Sequence, residues 1–445
     1  MKKISLLLIL FIFYLVGLSG CNFNFGEEKR PDYGATIYHE LTEVASLEAR
    51  KCFNFFWGTQ NNNANSAGYG LIPDRYPYEN GLASIASVGF GLTAFPIGIE
   101  NGWITYEEGY DRSLMTLKQM QKLTTYKGFY YHFYGYHNGK PANGSEVSGI
   151  DTALFIAGAL FAGQYFGGEV EDIANDIYEK VEWPTYVNPQ NNRFYMSCKP
   201  KEDGTALYEG AWDWYGEQLI MYFLGAGSPT HPIGIEVYKS FSKLTQYYGD
   251  YEVISSWFGS IFTYQFSHAW IDFRNINDYL DINWYDNSVQ ATLAHHQYCV
   301  DNKDKYKTFG DLSWGLTACD GPKEYSGLYG AAPNGGMSDD DAAVNDGTIA
   351  LCGAIGSLPF APKLVLDTMD YYYTTLDGKL FGGYGFYDSY NLENGTWIGT
   401  DYIGIDKGIS LLMIENYRSE LVWEVFMDLK CIDKAIEVLE FTKTK

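Results

Sequence analysis

Basic residues are scarce in this chain. There are 31 Lys and Arg against 55 Asp and Glu, a formal charge of −24. A field of that sign repels phosphate backbones and anionic lipid, which excludes nucleic acid and a polybasic membrane patch and leaves a neutral substrate unpenalised. Histidine is rarer still, at 7 in 445 residues. No two histidines stand at the His-x-x-x-His spacing of a zinc hydrolase, and His295 and His296, being adjacent, point apart on a helix. There is no Gly-x-Ser-x-Gly elbow and no phosphate loop. Apart from Cys21, the cysteines (Cys52, Cys198, Cys299, Cys319, Cys352 and Cys431) never approach Cys-x-x-Cys spacing. That removes a zinc ribbon and a redox motif, and buried free thiols are expected for those inside apolar runs. No metal site is therefore expected, and Asp339, Asp340 and Asp341, which lack the spacing and glycine of a calcium loop, read as solvated charge.

Long hydrophobic runs are also few. The first lies at 4–18, behind Lys2 and Lys3, and ends in Leu18-Ser19-Gly20-Cys21. It is shorter than the ~20 apolar residues of a membrane span. Its charged start and small residues before a cysteine give a lipoprotein export signal over 1–20, lipidation at Cys21 and a tether over 21–35. The protein is expected outside the cytoplasmic membrane, periplasmic or at the cell surface, attached to a membrane only through the lipid, and a monomer. No Ser/Gly-rich linker interrupts 36–445, which predicts one domain.

Aromatic residues are abundant, at 17% with 39 Tyr and 11 Trp. Their faces suit the C–H faces of sugars and their polar tips suit hydroxyls, although any single tyrosine is more simply a core residue. Two kinds of helical segment alternate. Amphipathic ones fall at 40–57, 105–122, 169–182, 234–248, 285–303 and 361–376; nearly wholly apolar ones fall at 82–97, 149–166, 213–226, 252–266, 346–357 and 404–416. Helices apolar all round must be enclosed by others, so the pattern predicts an all-α fold, an (α/α)6 barrel of six inner and six outer helices. Thr105 with Glu108 and Ser148 with Asp151 read as capping boxes. Long connections into the inner segments (58–81, 123–148, 183–212, 304–345 and 377–403) place a cleft at one end; the short connection at 249–251 and the long one at 267–284 do not follow the rule.

Acidic residues recur where those long loops enter inner helices: Glu146 and Asp151; Glu209, Asp213 and Glu217; Asp388; Asp401, Asp406 and Glu415. Helix capping explains most first-turn carboxylates without catalysis. Convergence of several with aromatic residues on one open end makes glycoside hydrolysis competitive, because that reaction needs one protonated and one ionised carboxyl. Trp212 and Trp214 flank Glu217, and desolvation by such neighbours keeps a carboxyl protonated, which makes Glu217 the preferred general acid.

At these residues the chain resembles the bacterial glucoamylase-like proteins that include glycoside hydrolase family 144, the endo-β-1,2-glucanases. The motifs run from about 45 to 430 and include GLIPDR at 70–75, SEVSGIDTAL at 145–154, GEQLIMYFLGAGSPTHPI at 216–233, SWGLTACDGP at 313–322, GGYGFYDSYN at 382–391 and YIGIDKGISLLMIENYRS at 402–419. The resemblance implies an (α/α)6 barrel and inverting hydrolysis of β-1,2-linked glucan without metal or organic cofactor. It implies catalytic roles for Asp151 and Glu217 and for one further aspartate, Asp388 or Asp406. It also implies substrate or supporting roles for Arg75, Glu146, Trp212, Tyr215, His231, Trp314, Asp320, Asp346 and Tyr390. An acidic stretch before NDGTIA, and Leu351 where a proline is usual, depart from the pattern. Relatives on this scaffold differ in linkage and in endo or exo action, so a different glycosidase specificity is the alternative, and a glycan-binding lipoprotein without turnover is a third.

Overall fold

A helix that is apolar all round satisfies its backbone internally but has no face for water, so it ends up surrounded. The computed structural model describes residues 38–77, 81–335 and 345–444; the lipoprotein signal, Cys21, the tether and Asp339 to Asp341 lie outside the described residues. The described chain is mostly helical. In order the helices are α1 (Glu43–Thr59), α2 (Ile85–Glu100), α3 (Tyr106–Met120), α4 (Gly149–Phe166), α5 (Gly168–Glu179), α6 (Leu219–Gly227), α7 (Ile235–Tyr238), α8 (Trp284–Asp301), α9 (Leu351–Ile355), α10 (Pro362–Thr374), α11 (Gly404–Ser419), α12 (Leu421–Met427) and α13 (Lys430–Val438). As the composition requires, α2, α4, α6, α9 and α11 are buried almost throughout. By contrast α1, α3, α5 and α10 bury one stripe.

The buried helices pack on one another. α2 contacts both α4 and α11, α4 contacts α6, and α11 contacts α9, while α1 covers α11 and α2. The α2–α4 crossing depends on glycine: a Cβ on Gly158 would collide with the backbone of Gly89, and one on Gly89 with the backbone of Leu154 and Phe155. The capping box at α3 forms as expected, with Thr105 Oγ1 accepting from Glu108 N at 3.2 Å and Glu108 Oε2 accepting from Thr105 N at 2.8 Å. At α4 only half of the box forms. Ser148 Oγ accepts from Asp151 N at 3.2 Å, but its hydroxyl donates to Asp151 Oδ2 at 2.5 Å, so that carboxylate is held over the helix start instead of reaching the backbone.

Short antiparallel ladders staple the long loops together where they enter the buried helices. Leu82–Ser84, just ahead of α2, pairs with Phe133–Gly135; Val147–Ser148, ahead of α4, pairs with Ser197–Pro200, which pairs with Ala206–Glu209. Ile349–Ala350, ahead of α9, pairs with Ser389–Asn391, and Tyr402–Ile403, ahead of α11, pairs with Arg75–Tyr76. These ladders are the principal departure from a purely helical reading.

The structure also corrects several expected helices. The inner segment expected at 252–266 is a strand, Tyr251–Ile254, followed by the 3-10 turns Ile261–Tyr264 and Phe266–Ala269. The outer segment expected at 234–248 is helical only over α7 and ends in the strand Thr245–Tyr248, hairpinned to Tyr251–Ile254. Gly249 at φ +57° makes the turn and Gly259 at φ +67° stops any helix from restarting, while the aromatic and β-branched residues between them suit a pleated surface. The short connection at 249–251 is thus a hairpin turn. The segment at 346–357 is helical only over α9, and that at 213–226 only from Leu219.

One charged pair crosses the interior. Glu48 on α1 and Lys407 on α11 lie at 2.8 Å, their side chains 0% and 4% exposed. Both are fully used: Glu48 also accepts from Phe386 N at 2.8 Å and Cys52 Sγ at 3.1 Å, and Lys407 also donates to Phe386 O at 2.6 Å. The six cysteines in the described residues are free, and all but Cys431 are buried.

Candidate active site

The stapled starts of α4 and α11 border a cavity of about 690 Å³, into which Asp151, Glu217 and Asp406 all project lining atoms. Asp151 and Asp406 stand in the first turns of α4 and α11. Glu217 sits two residues ahead of α6, outside the helix, so helix capping does not account for it. Its neighbours are fixed by Ser267, whose hydroxyl donates to Glu217 O at 2.6 Å. Its own carboxyl has no hydrogen-bond partner among the described residues. Burial, reinforced by the charge of Asp151, pushes Glu217 up to about 8, so it is protonated at neutral pH.

Positive charge also lines the cavity. His132 Nδ1 lies 2.9 Å from Glu146 and Nε2 lies 3.6 Å from Asp151. Burial opposes protonation of His132, but Asp151 and Glu146 more than offset it and hold the imidazolium up to about 9. The hydrogen bond from His132 correspondingly lowers Glu146. Arg75 Nη1 reaches Asp320 at 3.0 Å and Asp401 at 3.1 Å, so one guanidinium ties the ladder ahead of α11 to the loop at 320.

Asp406 is backed by Asp388, which is 3% exposed and close enough to hydrogen-bond with it. Asp388 Oδ2 accepts from Asp320 N at 2.7 Å and Ser389 Oγ at 3.2 Å, whereas Asp388 Oδ1 and Asp406 Oδ2 have no donor. Burial raises both carboxyls, and the charge of Asp406 raises Asp388 further. A pair so placed titrates as a unit.

Of the residues the sequence singles out, Arg75, Glu146, Asp151, Trp212, Glu217 and Asp406 line the cavity. Asp388 and Asp320 stand behind it. Several others lie outside the cavity lining, where only a supporting role is open to them. Tyr215 is buried and stacks on Trp284, ring centroids 4.8 Å apart; Trp314 is fully buried with Nε1 donating to Thr368 at 2.9 Å; Tyr390 is fully buried against Ser313. Each tucks its polar tip or ring into the core, so none lines the cavity. His231 lies in the turn after α6, at the far end of that helix from Glu217, with its amide capped by Ser228 at 3.1 Å. Asp346 is exposed and folds back onto Thr348 Oγ1 at 2.6 Å. Glu415 sits at the C-terminal end of α11, paired with Arg418 at 2.6 Å. Sequence reading overlooks Asp74, His132 and Tyr325, all of which line the cavity. Asp74 adjoins the noticed Arg75, and burial raises it; His132 stands in a tyrosine-rich loop with no periodic signal.

Residues 209–430 fit the model of the Glycoamylase family, described as "Putative glucoamylase". Over these residues the chain matches the glucoamylase-like family. A curated relative, the exo-β-1,2-glucooligosaccharide sophorohydrolase (non-reducing end) of Parabacteroides distasonis, is 26% identical over 92% of this chain, and the chain spans 59% of that relative's length. Among solved structures, a putative glucoamylase from Bacteroides uniformis superposes with a TM-score of 0.80 at 28% identity, covering 91% of this chain and 99% of that one. The endo-β-1,2-glucanase from Chitinophaga pinensis, solved with sophorotriose and glucose, superposes with a TM-score of 0.79 at 26% identity, covering 90% and 98%. The glucoamylase-like fold is therefore shared over nearly the whole described chain.

Proposed function

We propose that this protein is an inverting glycoside hydrolase of β-1,2-linked glucan, with Glu217 as general acid and Asp406 as the base that activates water. The observation that carries the reading is one cavity lined both by Glu217, a carboxyl that burial keeps protonated at neutral pH, and by Asp406, a second carboxyl backed by Asp388. Hydrolysis with inversion needs that division of labour: the acid protonates the leaving oxygen while the base takes a proton from water on the opposite face of the ring. Asp388, raised by burial and by the charge of Asp406, is the partner proposed to keep the proton, leaving Asp406 to accept one from water. Asp151 and His132 set the acid's strength from either side, Asp151 raising Glu217 and His132 lowering it. The β-1,2 linkage is the substrate of the relatives named above. The helical scaffold behind the site is proposed to be the (α/α)6 barrel, one inner position being filled by the 3-10 turns at Ile261–Tyr264 and Phe266–Ala269. The protein is proposed to act as a lipid-anchored, exported monomer, on the strength of Leu18-Ser19-Gly20-Cys21.

The first test is incubation with linear β-1,2-glucan and, separately, soluble starch, following product sizes and the anomer first released. Short β-1,2-linked products in the inverted configuration, from the first polymer alone, are expected; sugar from starch alone would overturn the linkage, and binding without turnover would make this a glycan-binding protein. Disaccharide as the sole early product would indicate exo action, and a ladder of sizes endo action.

The pH profile gives a second test with two opposite signs. The alkaline limb of kcat/KM reports loss of the Glu217 proton near 8 in the free protein. Asp151→Asn removes a charge that raises Glu217, so the limb moves to lower pH; His132→Gln removes one that lowers it, so the limb moves up. Displacement of both variants in the same direction would remove Glu217 from the acid role.

A further inference from the structure

Beside the main cavity lies a smaller recess of about 220 Å³, and the two share a wall formed by Met196 and Trp212. Its indole surfaces come from Trp214 and Trp257, whose ring centroids lie 5.5 Å apart at 59°. Trp257 is 45% exposed, an unusual state for the largest apolar side chain when so much core is available. The platform is nevertheless built, not loose. The backbone carrying Trp214 and Tyr215 is bridged to Ser242 on one side and Ser256 on the other, and Gly335 lies under Trp214, where a Cβ would strike the indole ring. Trp212, in the shared wall, has a buried indole Nε1 with no hydrogen-bond partner among the described residues, a donor left unused by the fold.

We propose that this tryptophan recess is a distal glucosyl-binding subsite, holding a further ring of a glucan chain whose scissile bond lies at Glu217. The inference rests on the glycanase reading above and deepens it. Continuity with the catalytic cavity selects the occupant, because a chain leaving that cavity past Met196 and Trp212 meets the two indoles next. Neutral hexopyranose rings present the apolar C–H faces that indoles bind, and they carry no charge for the acidic protein to repel. The flexible thioether of Met196, itself 41% exposed, is suited to a partition that moves aside for such a chain.

The experiment uses Trp257→Ala and Trp257→Phe, both at an exposed position, with purified linear β-1,2-gluco-oligosaccharides of short and long chain length. For Trp257→Ala, KM for the long chains is expected to rise about tenfold, the size of one lost stacking contact. Its kcat, and both constants for chains too short to reach the recess, should stay unchanged; Trp257→Phe should recover most of the loss. Binding of the long chain to Glu217→Gln should quench tryptophan fluorescence, and the quench should shrink on adding Trp257→Ala. Equal KM for all lengths in Trp257→Ala, or an equal loss at every length, would overturn the subsite while leaving the hydrolase reading intact. A wild-type protein that neither binds nor cleaves these chains at any length would overturn both.

Discussion

Glu217→Gln is expected to lower kcat on β-1,2-glucan by about a hundred- to ten-thousandfold, the usual contribution of a positioned general acid, with KM little changed. The substitution keeps the shape of the side chain and removes only its ability to give up a proton. It should also alter stability in a direction that separates it from a folding defect. The folded state binds the Glu217 proton far more tightly than an unfolded chain with its ordinary value near 4.5, because burial penalises the charged form. The contribution of that proton to stability is therefore complete below about 4.5 and is lost as pH rises through about 8. Glutamine carries no such liability. The inactive variant should melt at a higher temperature than the wild type above pH 8, and the difference should close in acid. Wild-type turnover in the variant would remove Glu217 from the chemistry; a variant less stable at alkaline pH would show that its carboxyl is not desolvated.

The largest expected effect on stability comes from Lys407→Met. The ammonium it removes is the counter-charge of Glu48, which is wholly enclosed between α1 and α11. Breaking a buried pair by deleting one member costs about 3–5 kcal/mol, because the remaining ion has neither water nor partner. The loss also frees the Phe386 carbonyl that Lys407 now satisfies, two residues from Asp388. Denaturant unfolding should show the midpoint falling in Lys407→Met and recovering in large part in Glu48→Leu/Lys407→Met, where no charge is stranded. Equal midpoints for the single and double variants would mean that Glu48 finds another way to be neutralised.

Much of the scaffold is legible in the amino-acid order because a wholly apolar helix has one physical destination. The segments 149–166 and 404–416 have no polar face, and both become buried helices. The reading fails at 252–266, where apolar content alone suggests a helix but the governing facts are local: Gly249 and Gly259 take positive φ, and Tyr251–Ile254 finds a partner strand. The site divides in the same way. Asp151, Glu217 and Asp406 are conspicuous because carboxylates are costly at the mouths of apolar helices. His132 is not, since its role comes from Glu146 and Asp151, which meet it only after the loops fold over one another. Motif membership misleads for Tyr215, Trp314 and Tyr390, whose rings serve the core behind the cavity. Which of Asp388 and Asp406 faces the cavity is invisible in one dimension; in the fold Asp406 lines it and Asp388 does not.

The ladder joining Arg75–Tyr76 to Tyr402–Ile403 spans more than three hundred residues of chain and lies directly before α11. Contacts of such separation are slow to form, since the loop they close must lose its freedom before anything is gained. Helices arise locally and early, but the carboxylate on α11 reaches the others only when the two ends of the sequence meet. During refolding, far-ultraviolet ellipticity should therefore return well ahead of catalytic competence. A nascent chain from which 402–419 has not yet emerged would be well furnished with helix but would lack the α11 carboxylate of the candidate site.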